Sequence, residues 1–475
     1  MFKTNYKKYL VLILLCMCSA TLFAQIELKN KVVDFNKGEG IESASVYIKN
    51  TTIGTVTNAD GKFSLQVPKR HENDSLVVSS IGYSTYKIPI SEYDADFEIF
   101  LEEEVASLEE VLIVGEPRPT TGNDIMVRAI ERLPRNMPDS SYLQKGFLRH
   151  KERNKNEFKW LIESAITVYD SGFTVPTSKK FLKINVDQVR KSYDLRDIDS
   201  LFTYQAYLNQ NKKRRYGKKD IKREQVRTSD LVKSIKWNDN RVNGLQNIFK
   251  GKLNLLRNAN NAKALFGEDM LEKHQFELDT VLVDNERKLY KIKILKSTDF
   301  VGLDTKGIYN EGFEANGWVY IYWDNYAIKK IEYELVAASK SQKIRSKRLF
   351  DTQINHKLVI SYKEYEDKMY PNYIYYETPK LVNVGKVQEG LTEAEEARYK
   401  KEERYYYTVQ EILFSEVILD KEKIKEALLG KWDKDIFSPK PYNKEFWDTY
   451  NVLLESEEDE KLIEDLTQRA SLFEE

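Results

Sequence analysis

Hydrophobic and polar positions alternate along most of this chain, the period-two signature of strands rather than the 3.6 of helices. Between residues 26 and 101 the β-rich runs are short. They are Val32-Val33, Ala44 to Ile48, Phe63 to Val67, Ser75 to Ser79 and Phe97 to Leu101. Phe63, Leu65 and Val67 alternate with Ser64 and Gln66, as a half-buried strand should. Turn residues separate the runs at Lys37 to Gly40, Asn58 to Gly61 and Asn73-Asp74. Asp60-Gly61 predicts a hairpin turn, because glycine accepts the positive φ such turns need. The rhythm predicts a small β-sandwich.

Ile125, Met126, Ala129, Ile130 and Leu133 recur at helical spacing, and Pro134 is expected to end that helix. Longer strands come next. Phe158 to Tyr169 is one, and Phe276 to Val283 turns at Asp284-Asn285 into Leu289 to Ile294. Gly317 to Trp323 turns at Asp324-Asn325 into Ile328 to Leu335. Leu358 to Tyr362, Tyr373 to Tyr376 and Tyr405 to Val409 complete the set. Consecutive arms joined by tight turns predict an antiparallel meander. The fold class read from the chain is mainly β, a sandwich followed by a larger antiparallel sheet with a few helices. One strand is apolar on both faces. Trp318, Tyr320 and Tyr322 share one side, and Val319, Ile321 and Trp323 share the other. Tyr373 and Tyr375 form a similar stripe. Both faces of such a sheet need a cover. On the aromatic side it is either a helix of the same chain, such as 125–133 or the C-terminal region, or a partner or ligand.

The first residues change the picture of location. Lys3, Lys7 and Lys8 precede an apolar run from Tyr9 to Ala20, and Leu22-Phe23-Ala24-Gln25 offers a small residue for cleavage. This is the plan of a secretion signal, and its apolar core of about 15 residues is shorter than the ~20 a spanning helix needs. No later apolar run is long enough to span a membrane as a helix. Cys16 and Cys18 both fall inside the signal and lack the small preceding residue of a lipid-anchoring site. The mature chain therefore has no disulfide and no thiolate metal site. Removing the three lysines leaves 72 basic against 75 acidic residues, a balance that gives no general attraction to nucleic acid.

Four motifs then fall in order: Val32-Val33-Asp34, Ile41 to Val46, Gly54 to Phe63 and Val78 to Tyr83. Together they resemble the carboxypeptidase-like regulatory domain, a transthyretin-like sandwich, over roughly residues 26–102. In that family the module often stands before TonB-dependent receptors of the Gram-negative outer membrane. Leu108 to Gly115 also resembles the segment after the module in those receptors. No plug comes next, and the chain is too short for a receptor barrel, so receptor function is not implied. The body resembles uncharacterised envelope proteins that carry this module before a sheet-rich domain. By strand rhythm, residues 270–415 are similar to the periplasmic lipoprotein-carrier fold, a curved sheet closed by helices.

The expected organisation is a signal peptide at 1–24, the regulatory sandwich at 25–102 and a Glu/Pro-rich linker at 103–121. A sheet-rich domain covers 122–440, with a basic, polar, solvated excursion near 205–265. An aromatic anchor and acidic helical tail occupy 441–475. The excursion contains Lys212 to Arg215, Lys218-Lys219 and Lys222-Arg223. Contact with anionic lipid or lipopolysaccharide is one reading of this run, and a solvated excursion between strands is the favoured one. The chemistry is sparse. Of His71, His150, His274 and His356, only His274 has a His-x-x-Glu partner, Glu277, and in a strand the two point to opposite faces. No metal site, cofactor site or catalytic nucleophile is expected. The reading is a non-enzymatic envelope binding or assembly protein, periplasmic or associated with the outer membrane. Its sandwich serves as an accessory interaction module and its large sheet as the surface for an envelope protein or a lipid-like ligand. Trp318, Tyr320, Tyr322, Tyr373 and Tyr375 are the candidate surface. The alternatives are a secreted carbohydrate-active hydrolase using paired carboxylates and an outer-membrane barrel component. Mass spectrometry of the exported protein checks the signal. Its first residue is expected to be Gln25, and a chain still beginning at Met1 refutes the cut after Ala24.

Overall fold

The computed structural model describes residues 25–104, 118–153, 158–177, 179–193, 200–211, 221–222, 225–250, 254–257, 270–295, 313–340, 343–344, 346–347, 352–381, 392–393 and 405–469. The signal, most of the linker and most of the basic run lie outside them. The first strands are β1 (Gln25–Asp34), β2 (Ser45–Ile48), β3 (Gly54–Val56), β4 (Lys62–Pro68), β5 (Ser75–Ser79), β6 (Tyr86–Pro89) and β7 (Ile99–Leu101). Then come α1 (Gly122–Asn136), β8 (Tyr142–Arg153), β9 (Phe158–Asp170) and β10 (Leu182–Tyr193). A helical stretch holds α2 (Ser200–Asn211), α3 (Thr228–Asn243), α4 (Leu245–Lys250) and α5 (Met270–Lys273). The meander comprises β11 (Gln275–Asp284), β12 (Arg287–Leu295), β13 (Phe313–Tyr322), β14 (Ile328–Ala337), β15 (Ile354–Tyr365), β16 (Lys368–Leu381) and β17 (Tyr405–Ile418). The chain closes with α6 (Lys421–Leu429), α7 (Lys444–Thr449) and α8 (Glu457–Arg469).

Two compact units emerge. One holds Met1–Glu104, Asp284–Glu286 and Asn443–Ser456, and the other holds Val105–Val283, Arg287–Tyr442 and Glu457–Glu475. The first is a seven-stranded sandwich with sheets ordered β4-β1-β7 and β3-β2-β5-β6. Leu28, Val32, Val46, Ile48, Phe63, Leu65 and Val78 fill the space between the sheets. The Asp60-Gly61 turn forms, with Gly61 at φ +79°, but it makes no hairpin. It carries the chain from β3 in one sheet to β4 in the other, because β4 pairs with β1 and β3 with β2. Gly61 is also pressed against β1. Val32 donates its N–H to the Gly61 carbonyl at 2.8 Å, and a Cβ on Gly61 would lie 2.4 Å from the Val32 oxygen. Residues 443–456 belong to this unit rather than to a single tail. The Asn451 amide brackets the Gln66 backbone, accepting from its N–H at 2.7 Å and donating to its carbonyl at 3.2 Å. In the same segment Trp447 is buried and Phe446 is stacked on Tyr450 at 4.8 Å.

The second unit is built on one ten-stranded sheet, ordered β10-β9-β8-β17-β16-β15-β14-β13-β12-β11. The meander runs in chain order from β11 to β17, and β17 then pairs antiparallel with β8. Among the described residues β10 and β11 are edges, so the sheet is open and lacks the closure a membrane barrel requires. Direct cross-strand partners trace an apolar row over one face: Ile292, Val319, Ile331, Ile360, Ile374, Ile412 and Leu148. All seven are buried. The stretch expected to be a solvated excursion contributes to their cover, and α1 packs against β16. Leu231 and Ile235 of α3 and Leu245, Ile248 and Phe249 of α4 are buried, and Phe249 meets Phe414 edge-on at 5.9 Å. These apolar residues sit among many lysines and asparagines, which hid the amphipathic pattern. Helix α1 also runs on past Pro134 to Asn136, because a proline this close to the end removes only one N–H bond, the one to Ile130.

Three buried histidines under the cover each meet a polar group. His150 Nε2 lies 3.0 Å from Asp239 of α3, His274 Nε2 3.0 Å from the Tyr333 hydroxyl, and His356 Nδ1 3.0 Å from the Tyr376 hydroxyl. Burial pulls the pKa of His356 from 6.5 down to about 4. The unfolded chain therefore takes up a proton near pH 6.5 that the folded chain refuses until about pH 4. Stability falls as pH drops through that window, and His356→Phe is expected to flatten this slope in unfolding midpoints measured from pH 7 to pH 4. Glycine variants test the sandwich. Gly38 has φ +69° with no atom within 4 Å of its added Cβ, so Gly38→Ala costs about 1 kcal/mol of left-handed strain. Gly61→Ala adds a backbone clash to that strain and costs roughly 3 kcal/mol or more. Equal urea midpoints for the two variants would show that the Val32 contact is not what restricts position 61.

Candidate functional site

The covered face does not close completely. Between the sheet and its helical cover lies a cavity of about 50 Å³. β8, β9 and β10 contribute Tyr142, Gln144, Val168, Asp170 and Leu182, and β15 and β16 contribute Ile360, Tyr362, Pro371 and Ile374. Ile248 and Phe249 of α4 line it from the cover, with Asn254, Arg257, Phe173, Met137 and Pro138. Alternation along each strand turns these sheet residues to one side. The cover is tied by local bonds. Asn254 donates to the Phe249 carbonyl at 3.0 Å and accepts from the Arg257 N–H at 3.1 Å. Gln144 donates to the Pro371 carbonyl at 2.8 Å, locking β8 beside the wall made by β16.

One charged pair sits in this apolar setting. Arg257 Nη2 lies 3.4 Å from Asp170 Oδ1, and the two side chains are 4% and 13% exposed. Burial pushes the Asp170 carboxyl up, opposed by Arg257 and by the Gly172 N–H it accepts at 2.9 Å. Burial pulls Arg257 down, opposed by Asp170. Tyr142 is raised well above its ordinary value, first by burial and then by Asp170, so its hydroxyl stays protonated. Sequence reading missed every one of these residues. The available signal was the pair of apolar doublets, Ile248-Phe249 and Leu255-Leu256, inside a polar stretch.

The aromatic residues singled out from sequence lie on the opposite face, and the register brings them together. Tyr320 and Tyr373 fall in one row, Lys291-Tyr320-Lys330-Ser361-Tyr373, and Trp318 and Tyr375 fall in the next, Lys293-Trp318-Glu332-Val359-Tyr375. Tyr320, Tyr322 and Tyr373 are buried, while Trp318 and Tyr375 are half-buried. Neighbouring cations cover the rings. Lys291 Nζ sits 4.0 Å over Trp318, the Arg287 guanidinium 3.8 Å over Tyr322, and Lys357 Nζ 5.6 Å over Tyr375. Tyr373 donates to Glu411 at 3.1 Å and Tyr375 to Glu377 at 2.5 Å.

Further along the same face the second row continues through Glu411, Arg149, Glu163 and Arg190. Arg149 Nη2 reaches Glu163 at 2.9 Å, Arg190 Nε reaches the other Glu163 oxygen at 2.6 Å, and Lys151 Nζ lies 3.1 Å from Glu411. Helix α8 lies over this end, with Asp459 2.6 Å from Lys151 Nζ and Leu462 and Leu466 packed on Phe158 and Leu161. Burial raises the Glu411 carboxyl, but Lys151 and Arg149 outweigh it and hold the group below its ordinary range. An acid catalyst needs the reverse, a carboxyl kept protonated near neutral pH. Among the described residues no group of three His, Cys, Asp or Glu is placed to hold a metal ion.

A LolA superfamily protein from Nitrosomonas europaea matches with a TM-score of 0.21 and 11% identity, covering 64% of this chain and 97% of that one. A DUF1329 family protein from Desulfovibrio piger overlaps with a TM-score of 0.20 and 8% identity, over 63% and 92% of the two chains. Overlap at that level establishes no shared fold. The TonB-dependent receptor SusC of Bacteroides thetaiotaomicron is 34% identical over 110 residues, which is 23% of this chain. The present chain spans only 10% of that receptor's length. The CarboxypepD_reg-like domain family matches residues 28–113. The N-terminal sandwich, with its four motifs on β1, on β2 and the turn before it, on β3 through β4, and on β5 with the turn after it, is a CarboxypepD_reg-like domain.

Proposed function

We propose that this protein is a non-enzymatic binding protein of the bacterial cell envelope, holding a lipid-like ligand in the cavity of its large sheet. The sandwich acts as an accessory interaction module. An envelope location is supported by the secretion-signal pattern of residues 1–24 and by the family match of the sandwich. The observation that carries the ligand reading is the cavity itself. Val168, Leu182, Ile248, Ile360 and Ile374 give it apolar walls, and a few polar groups stand among them, the usual composition of a small-molecule site. About 50 Å³ is well below the roughly 150 Å³ that accepts a benzene ring, so a few carbon atoms fit the cavity as it stands. A longer chain requires α4, six residues long, to shift outward. The aromatic face is the weaker place for a ligand, because its own lysines and arginines already occupy the rings. The hydrolase reading has less support still, with Glu163 and Glu411 committed to ion pairs.

An apolar fluorescent probe such as N-phenyl-1-naphthylamine, titrated into the intact protein and displaced by octanol, tests the reading. Ile374→Phe fills the cavity from the sheet side and is expected to weaken probe binding by about tenfold or more, ~1.4 kcal/mol. Its circular dichroism should stay that of the unaltered protein. Absence of probe binding, or full binding by a folded Ile374→Phe variant, overturns the cavity as a ligand site.

A further inference from the structure

Arg257 is out of place in an apolar cavity unless something anionic comes to it. Its side chain is 4% exposed, and its guanidinium lies 4.2 Å over the Phe181 ring and 5.6 Å over Phe173. Two donors are used on backbone carbonyls, Nη1 to Gly172 at 2.7 Å and Nη2 to Val175 at 3.1 Å. Nε is buried without a hydrogen-bond partner among the described residues. Charge compensation is also incomplete. Asp170 is the one carboxylate among the described residues lining the cavity, and its 3.4 Å approach exceeds the 2.7–2.9 Å of a strong charge-assisted bond. Asp170 divides its acceptor capacity with the Gly172 N–H, and burial raises its carboxyl. A guanidinium stays charged in proteins, so a buried one with a free donor is costly until an anion meets it.

We propose that the ligand is an amphiphile with an anionic head group, a carboxylate or phosphate, bound by Arg257, with its apolar chain along Val168, Leu182 and Ile374. This rests on the cavity being a ligand site, and it assigns the class of ligand and the residue that selects it. The head group takes the donor that Asp170 leaves unused, and the Tyr142 hydroxyl lining the same cavity remains a donor because it stays protonated. Cationic amphiphiles are excluded by the same charge.

Displacement of the neutral probe from the full chain separates the possibilities, using octanoate, octanol, octyltrimethylammonium, acetate and inorganic phosphate. Octanoate is expected to compete at least about tenfold better than octanol, the ammonium not at all, and acetate or phosphate only weakly. Arg257→Gln should erase the preference of octanoate over octanol while leaving octanol unchanged, and Arg257→Lys should restore part of it. Unfolding midpoints confirm that the variants fold, and the head-group comparison on the unaltered protein stands without them. Equal competition by octanoate and octanol overturns the anionic head group and leaves the cavity reading intact. Competition by acetate or phosphate as strong as by octanoate overturns the amphiphile in favour of a plain anion site. Failure of every compound to displace a bound probe overturns the cavity reading together with the inference.

Discussion

Burial of one face of the ten-stranded sheet is the constraint on which the second unit depends. The row from Ile292 through Val319, Ile331, Ile360, Ile374 and Ile412 to Leu148 is apolar at every step. Each strand crossing adds another aliphatic side chain that water would have to surround, and removing that surface from water is the main favourable term in the fold. An open sheet cannot hide this face by curling into a barrel, so helices must supply the cover. α3 and α4 contribute to it with Leu231, Ile235, Ile248 and Phe249, and α1 packs against β16. Where a short helix meets a wide sheet the fit is incomplete, and the residual space is the cavity. The same requirement that recruits the helices leaves a small, mostly apolar space there.

Polar groups trapped under the cover have to be answered, because an unpaired buried group costs the full loss of its hydration. His150 is met by Asp239, His274 by Tyr333 and His356 by Tyr376. Arg257 is a charged group left incompletely bonded, with its Nε unpartnered among the described residues. Its bonds to Gly172 and Val175 hold it in place, while its charge is only partly balanced by Asp170.

The opposite face obeys different physics. Its rows alternate cations, acids and aromatic rings, so neighbours on adjacent strands satisfy one another. Partly exposed pairs such as Lys330 with Glu332 contribute little each, whereas the Arg149–Glu163 pair is 3% exposed on both sides and is sensitive to losing either partner. At one end α8 lies over Lys151 and Leu161 and gives this face a helical cover. The aromatic stripe is therefore a surface closed by its own cations, which is why the functional reading passes to the cavity.

The sequence by itself determined the mainly β class, the sandwich and its family, the helix after the linker and the consecutive antiparallel arms from β11 to β17. These are local properties: a period of two, glycines at turns and motifs read in order. It also placed Trp318, Tyr320, Tyr322, Tyr373 and Tyr375 on shared faces, because alternation along a strand is visible one strand at a time. Tertiary structure alone decided that the Asp60-Gly61 turn links two sheets, since pairing partners lie outside the turn. It also decided that 443–456 joins the sandwich through Asn451, 385 residues beyond Gln66. The cover of the sheet was illegible because the apolar residues of 228–257 are diluted by lysine and asparagine. Their amphipathic sense appears only when the face they must bury is known. The cavity was illegible for the same reason. Asp170 and Arg257 stand 87 positions apart, and no period or spacing joins them, only the closing of a helical cover over strands that pair across most of the chain.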